Sequence, residues 1–150
     1  MRVEDIMTKE VFYCGPGTDA SAAAEIMWIR NCGALPVVEE GGRVVGMVTD
    51  RDLFIALGTQ NRMPAELSVG EIMTREPSIC SPDDDVRDAM TTMAQRRLHR
   101  LPVVGKDGAL EGIVSLDDIA LRADMERLSK DLLRTMKAVV ERPTNRTAGA

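Results

Sequence analysis

Two short strings in this chain combine a hydroxyl side chain with a carboxylate three residues later. They are TDRD at residues 49–52 and SLDD at residues 115–118, and each follows an apolar run. A helix that starts at Thr49 would present free backbone N–H groups and the positive end of its dipole, which suits an anion. Asp52, one turn into that helix, could accept hydrogen bonds from two vicinal hydroxyls, as carboxylates do with ribose in dinucleotide folds. Thr49 or Ser115 could then hold the adjoining ribose or phosphate oxygen.

The same spacing also has a purely structural interpretation. Thr-x-x-Asp is close to a capping box, in which Thr49 caps the helix and Asp52 returns the hydrogen bond to the Thr49 amide. Ser115 and Asp118 fit the same description. From one copy of the string alone, capping is the favoured interpretation.

Both strings belong to a duplication that runs through most of the chain. Residues 3–57 and 69–123 align without a gap at an offset of 66 residues, with 19 identical positions in 55. The identities cluster in the Ile-Met-Thr openings, in two Leu-Pro-Val-Val segments and around the glycine that precedes each string. Because this period exceeds the roughly 20–50 residues of solenoid repeats, we expect a pseudo-symmetric pair of units that share a core.

Each copy is predicted to fold as strand, helix, strand, strand, helix. Thr18 is the expected N-cap of the first helix, and Gly-containing turns join the paired strands. One copy alone would leave an apolar sheet face uncovered, so we predict an α/β (α+β) fold of two β-α-β-β-α repeats packed sheet to sheet. The predicted strands are 11–14, 35–39, 44–48, 78–80, 101–104 and 110–114.

Beyond the second copy, residues 118–141 are predicted to form one long amphipathic helix, because apolar residues recur every three or four positions. Such a helix could fold back on its own unit, but we favour its use in a homodimer. The apolar positions are Met125, Leu128, Leu132, Met136 and Val139, with Leu133 and Val140 beside them. The predicted organisation is repeat 1 at 1–59, a linker at 60–68, repeat 2 at 69–123, a C-terminal helix at 124–142 and a disordered tail at 143–150.

Composition excludes several classes of function. The net charge of −5 and pI near 5.0 give no general attraction for phosphate backbones, so nucleic-acid binding is not expected. The apolar runs are far shorter than the roughly 20 residues that span a bilayer and no signal-peptide core follows the N-terminus, so we expect a cytoplasmic protein. Cys14, Cys32 and Cys80 have neither metal-site nor disulfide spacing and are interpreted as buried thiols.

Catalysis finds little support in the sequence. There is no recognisable set of nucleophile, base and orienting carboxylate, and the chain has only one histidine. The acidic run at residues 83–85 stands at a predicted helix start, where acidic residues favour the dipole; a magnesium site there is the alternative. We therefore predict neither an enzyme nor a metal site.

The order of elements, with these motifs in register, resembles a tandem pair of CBS domains. The resemblance covers residues 3–123, and its most specific marks are the strings GMVTDRD at 46–52 and GIVSLDD at 112–118, each after a Leu-Pro-Val-Val strand. The resemblance implies a non-catalytic regulatory module that binds AMP, ADP, ATP, S-adenosylmethionine or NAD in the cleft between the repeats. It also implies a dimer whose change of shape is read by an unknown protein partner.

The resemblance shifts the interpretation of the two strings from capping towards ligand binding. Thr49, Asp52, Ser115 and Asp118 then hold the ribose of an adenosine ligand. Two alternatives stay open: an interaction protein that has no ligand affinity, and a fragment of an enzyme such as IMP dehydrogenase, in which CBS pairs are inserted regulators.

Phosphate contacts are expected from residues that differ between the copies. Arg51 would stand near the phosphates, whereas its counterpart Asp117 would repel them. In the second copy, His99 and Arg100 precede the Leu-Pro strand and resemble a phosphate-contacting stretch in the γ subunit of AMP-activated protein kinase. These two residues, with the arginines just before them, could instead bind an acidic partner surface.

The resemblance also implies apolar walls for an adenine ring. The positions that match are Val11 and Pro36 in the first copy and Ile79 and Pro102 in the second. The same residues are equally suited to a hydrophobic core.

Overall fold

The computed structural model describes residues 1–123 and 125–141, which form two equivalent α/β units and a further helix. The α-helices are α1 (Val3–Ile6), α2 (Ala20–Arg30), α3 (Asp50–Gln60), α4 (Val69–Ile72), α5 (Val86–Arg96), α6 (Leu116–Arg122) and α7 (Met125–Val140). The β-strands are β1 (Ala34–Val38), β2 (Val44–Thr49), β3 (Thr74–Arg75), β4 (Arg100–Val104) and β5 (Leu110–Ser115). The prediction of a mixed α/β fold is confirmed.

Each copy is built on an antiparallel hairpin with the same register. Leu35 pairs with Val48 in the first copy, as Leu101 pairs with Val114 in the second, and all four side chains are fully buried. The turns need glycine, because Gly42 and Gly108 have φ of +89° and +83°. The two hairpins meet at these turns through backbone hydrogen bonds, from the amide of Val44 to the carbonyl of Gly108 and from Leu110 to Gly42.

Helix α2 begins one residue later than the sequence suggested. Asp19 is its N-cap and accepts a 2.8 Å hydrogen bond from the amide of Ala22. The predicted cap, Thr18, instead accepts a hydrogen bond from the amide of Gly15 and closes the preceding turn. Asp85, at the equivalent position of the second copy, is the N-cap of α5 and accepts a 2.8 Å hydrogen bond from the amide of Arg87. The prediction was wrong because two adjacent residues were both suitable caps.

The first strand predicted in each copy is reduced to a single β-bridge. Cys14 forms a parallel bridge with Val37, and Cys80 forms one with Val103. Both cysteines are buried, but the residues before them do not continue the ladder. The segments at 11–14 and 78–80 therefore join the sheets at one point each and are not regular strands.

The opening segment of each copy packs against the other copy. We call residues 3–8 the first crossing segment and residues 69–75 the second. Val3 and Ile6 lie in the core of the second copy, and Thr8 exchanges two 2.9 Å backbone hydrogen bonds with Ile113 of β5. Val69 lies in the core of the first copy, and β3 pairs with β2. Each hydrophobic core is therefore completed by residues from the other repeat, which ties the two units together.

Helix α7 folds back onto the second copy. The long helix predicted over 118–141 is interrupted, because α6 ends at Arg122 and Ala123 is extended with ψ of 155°. Leu128, Leu132 and Val139 are then buried in the core of the second copy. The favoured prediction, that the apolar stripe of this helix pairs with another chain, was wrong for these residues, since α5 covers them. The predicted tail at 143–150 lies outside the described residues.

Candidate functional site

The carboxylate of the first copy stands at the start of α3, where β2 ends. Asp52 accepts a 2.9 Å hydrogen bond from the amide of Thr49 on its Oδ2 atom, and the Thr49 hydroxyl accepts one of 3.1 Å from the amide of Asp52. The capping box is therefore formed. Asp52 is half-buried, and no described residue donates a hydrogen bond to its Oδ1 atom. Capping and ligand binding are both compatible with this geometry, because the capping box uses only one of the two carboxylate oxygens of Asp52.

The carboxylate of the second copy is more enclosed. Asp118 Oδ2 accepts hydrogen bonds from the amide of Ser115 at 2.9 Å and from its hydroxyl at 2.7 Å. Asp118 Oδ1 accepts a further 3.1 Å hydrogen bond from the hydroxyl of Thr8 and forms a 3.4 Å ion pair with Arg122. Asp118 is only 9% exposed. Its two oxygens are thus held by three hydrogen bonds and one ion pair.

Hairpin register decides which of the predicted phosphate contacts lie near these carboxylates. Arg100 is the cross-strand partner of Ser115, so their side chains share one face of the hairpin. The carbonyl of His99 accepts a 3.0 Å hydrogen bond from the amide of Leu116, while the His99 side chain is exposed. Arg51 is exposed in the first turn of α3. The structure therefore brings Arg100 and the backbone of His99 to the second string.

The predicted adenine walls have different environments. Pro36 and Pro102 are buried within β1 and β4, opposite Met47 and Ile113. Ile79 is 48% exposed, and Val11 is half-buried. The prolines are thus core residues of the hairpins, whereas the other two have surface available to a ligand.

A cleft of about 260 Å³ lies between the two copies. Val11, Tyr13 and Val38 line it from the first copy, and Leu110 and Glu111 line it from the second. The residues that line this cleft do not include either hydroxyl-carboxylate string. Val11, one of the predicted adenine-wall residues, therefore lies at the junction of the repeats. This cleft is at the opposite end of the hairpins from Thr49 and Ser115.

The cysteines are free thiols with a packing role. Burial raises the pKa of the Cys14 thiol to about 11 and that of Cys80 to about 12, and the charge of Asp84 also raises the latter. Both thiols stay protonated at neutral pH and are poor nucleophiles. The interpretation as buried thiols is confirmed for these two, and Cys32 is half-buried.

Two residues around Asp118 were missed by the sequence analysis. Thr8 belongs to the repeated Ile-Met-Thr opening, so the duplication did contain a signal for it. Arg122 had none, because its counterpart in the first copy is Ala56, whose side chain cannot donate a hydrogen bond. The equivalent of Thr8 is Thr74, which is exposed.

Within residues 1–123 and 125–141, no three His, Cys, Asp or Glu side chains are grouped closely enough to hold a metal ion. None of the helices in this part of the chain has the length and apolar character needed to cross a bilayer.

Known proteins with the same motifs identify the family. The CBS domain family model matches residues 3–59 and again residues 69–123. The CBS domain-containing protein YhcV of Bacillus subtilis is 39% identical over 119 residues, which are 79% of this chain and 83% of that protein.

Two similar solved structures were determined with adenosyl ligands. The CBS domain pair of protein MJ0100, in complex with 5′-methylthioadenosine and S-adenosyl-L-methionine, is 29% identical with a TM-score of 0.73, covering 80% of this chain and 93% of that one. CBSX2 from Arabidopsis thaliana, in complex with AMP, is 29% identical with a TM-score of 0.70, covering 79% and 93%. The two family matches, in register with the duplicated fold, place this chain in the CBS domain family as a CBS pair.

Proposed function

We propose that this chain is a non-catalytic regulatory module that binds an adenosine nucleotide or a related adenosyl ligand between its two copies. The observation that carries the proposal is the carboxylate of Asp52. It is half-buried at the start of α3 and has one oxygen to which no described residue donates. Vicinal ribose hydroxyls are donors of the right kind for that oxygen.

The similar structures support the choice of ligand class. MJ0100 and CBSX2 hold ligands that share an adenosine group, although the groups attached to its ribose differ. The common part is what the duplicated strings of this chain would recognise, so AMP, ADP, ATP, S-adenosylmethionine and NAD are the candidates. Arg51 or Arg100 would favour a phosphorylated member of that set.

A thermal-shift series tests the proposal. Each candidate ligand is added to the wild type, to Asp52→Asn and to Asp117→Asn, whose exposed carboxylate serves as the control. A ligand at 100 times its Kd adds about 2.7 kcal/mol, which raises the Tm of a domain of this size by several degrees. We expect Asp52→Asn to lose the shift and Asp117→Asn to retain it. No shift with any candidate would favour the alternative, an interaction protein without ligand affinity.

We propose that the module acts as a homodimer formed through the first copy. Trp28 on α2 is 86% exposed and Phe54 on α3 is 78% exposed, and these two helices contact each other. Large apolar side chains exposed on neighbouring helices are typical of interaction surfaces. A ligand that favours one of two dimer shapes would pass its signal to a protein partner that binds one shape better.

Sedimentation velocity tests the dimer. We expect the wild type to sediment as a dimer, and Trp28→Glu and Phe54→Glu to be monomers. Leu133→Glu is the control, because Leu133 is exposed on α7 at the other copy. A monomeric wild type, or a dimer that only Leu133→Glu disrupts, would refute this interface.

The free state of all three cysteines supports one further assignment. Reduced thiols are usual in proteins of the cytoplasm, which is the compartment we propose.

A further inference from the structure

Asp52 and Asp118 occupy equivalent positions but differ in how many of their acceptor sites are used. A carboxylate offers about four lone-pair sites. Asp118 accepts three hydrogen bonds, from the amide and hydroxyl of Ser115 and from the hydroxyl of Thr8, and its Oδ1 atom forms a 3.4 Å ion pair with Arg122. Asp52 has one donor among the described residues, the amide of Thr49. A pair of ribose hydroxyls would find unused acceptor sites at Asp52, whereas those of Asp118 are taken by hydrogen bonds and an ion pair.

The difference depends on Arg122, which is fixed in place by the first crossing segment. Its guanidinium donates a 2.9 Å hydrogen bond to the carbonyl of Ile6 and lies 3.4 Å from the hydroxyl of Thr8. From there it reaches Asp118, one turn earlier on the same helix. The side chain is about half exposed, so this arrangement costs little desolvation.

The residues equivalent to Arg122 and Thr8 donate no hydrogen bond to the carboxylate of Asp52 in the first copy. Ala56, in the place of Arg122, is 4% exposed and packs in the core. Thr74, in the place of Thr8, is exposed and makes no hydrogen bond to Asp52. Binding at Asp52 therefore displaces no protein donor, whereas binding at Asp118 would have to break the bonds from Thr8 and Arg122.

We infer that Arg122 is a specificity-determining residue that closes the second string to ribose, so that the chain takes one adenosyl ligand, held by Asp52. This inference rests on the proposed function and adds to it the number and place of the sites. The second copy then serves as a fixed frame against which the occupied first copy changes shape.

Equilibrium binding with AMP, and separately with S-adenosylmethionine, tests the inference by stoichiometry. For whichever compound binds, the wild type should take one equivalent per chain. Asp52→Asn should weaken binding at least about tenfold, because a hydrogen bond to a charged acceptor is lost. The matched variant Asp118→Asn should change it by less than about twofold. Two equivalents in the wild type, or loss of binding in Asp118→Asn, would overturn the inference and leave the proposed function intact.

Arg122→Ala tests the closing residue itself. We expect this variant to take up a second equivalent, because it removes the ion pair and also releases the Thr8 hydroxyl that the guanidinium holds, so that ribose can displace Thr8 from Asp118. Arg134→Ala, at an exposed arginine on α7, should keep one. Unchanged stoichiometry in Arg122→Ala would show that Arg122 does not close the second string. If neither the wild type nor Arg122→Ala binds any of the five candidate ligands, the proposed function fails and this inference fails with it.

Discussion

The two copies share one frame but differ in what covers it. Their hairpins have the same register and each receives a crossing segment from the other. In the second copy, α7 lies over α5 and leaves Met90 only 2% exposed. The equivalent residue of α2 is Ala24, which is exposed. The carboxylates follow the same division, since Asp118 is enclosed and Asp52 is open on one side. Duplication thus supplies two similar frames; the added helix α7 covers only the second, and the replacement of Arg122 by Ala56 leaves Asp52 without an arginine partner.

Substitutions in α7, which covers the second copy, should have the largest effect on the free energy of unfolding. Leu132 lies on the face of α7 that packs on the second copy and is 3% exposed, whereas its neighbour Leu133 is 55% exposed. Leu132→Ala should lower the free energy of unfolding by about 2–5 kcal/mol, because it opens a cavity in a packed core. Leu133→Ala should change it by less than about 0.5 kcal/mol. Urea denaturation of both variants measures the difference.

Equal losses of stability in Leu132→Ala and Leu133→Ala would contradict the comparison between the two copies. That result would mean that α7 does not pack on α5 in solution, and that the second copy is no better covered than the first. It would also restore the prediction that the stripe of α7 pairs with another chain.

Local signals predicted the parts of the fold that depend on adjacent residues. Both hairpins and both capping boxes follow from glycine turns and from hydroxyl-carboxylate spacing, which act within a few residues. The short helix α4 was missed although Ser68 and Glu71 have capping-box spacing, and Glu71 returns the hydrogen bond to the Ser68 amide. That omission could have been avoided.

Non-local packing accounts for what the sequence did not predict. Alignment of the repeats assigns Val3 to the first copy, but its side chain packs in the second, because the opening segments cross over. Ala123 itself does not predict the break between α6 and α7, since alanine favours helix. The closure of Asp118 was equally inaccessible, because Thr8 and Arg122 are 114 positions apart in sequence.

Substitutions at two glycines that lie against the crossing segments should have the next largest effect on stability. Comparing them tests whether the crossing segments are docked equally tightly in the two copies. A methyl group at Gly112 would lie 2.9 Å from the carbonyl oxygen of Thr8, and one at Gly46 would lie 2.9 Å from that of Thr74. Gly46→Ala and Gly112→Ala should each lower the free energy of unfolding by about 1–3 kcal/mol, since the crossing segment must move. Gly58→Ala is the control, because Gly58 lies in α3 with open space around it, and this variant should stabilise by about 0.5–1 kcal/mol.

Thermal and urea unfolding of the three glycine variants would measure these changes. If Gly46→Ala were neutral while Gly112→Ala was destabilising, the second crossing segment would be loosely docked. The two copies would then differ in their frames as well as in their covers.

The smallest effect concerns how acid acts on the second crossing segment, which completes the first copy. Glu71 accepts hydrogen bonds from the guanidinium of Arg62 and from the amide and hydroxyl of Ser68, which lower the pKa of its carboxyl from 4.5 to about 2. Because the folded state binds this proton more weakly than the unfolded state, the stabilisation is complete above pH 4.5 and is lost as the pH falls towards 2. Glu71 is exposed, so the effect is small and should shrink further with added salt.

An NMR titration of the side-chain carboxyls measures the pKa of Glu71 directly, and urea denaturation between pH 7 and 3 measures its effect on stability. We expect Glu71→Gln to remove part of the acid sensitivity below pH 4.5, whereas Glu66→Gln, at an exposed glutamate in the preceding turn, should not. A normal pKa for Glu71 would mean that Arg62 and Ser68 do not fix α4 in solution.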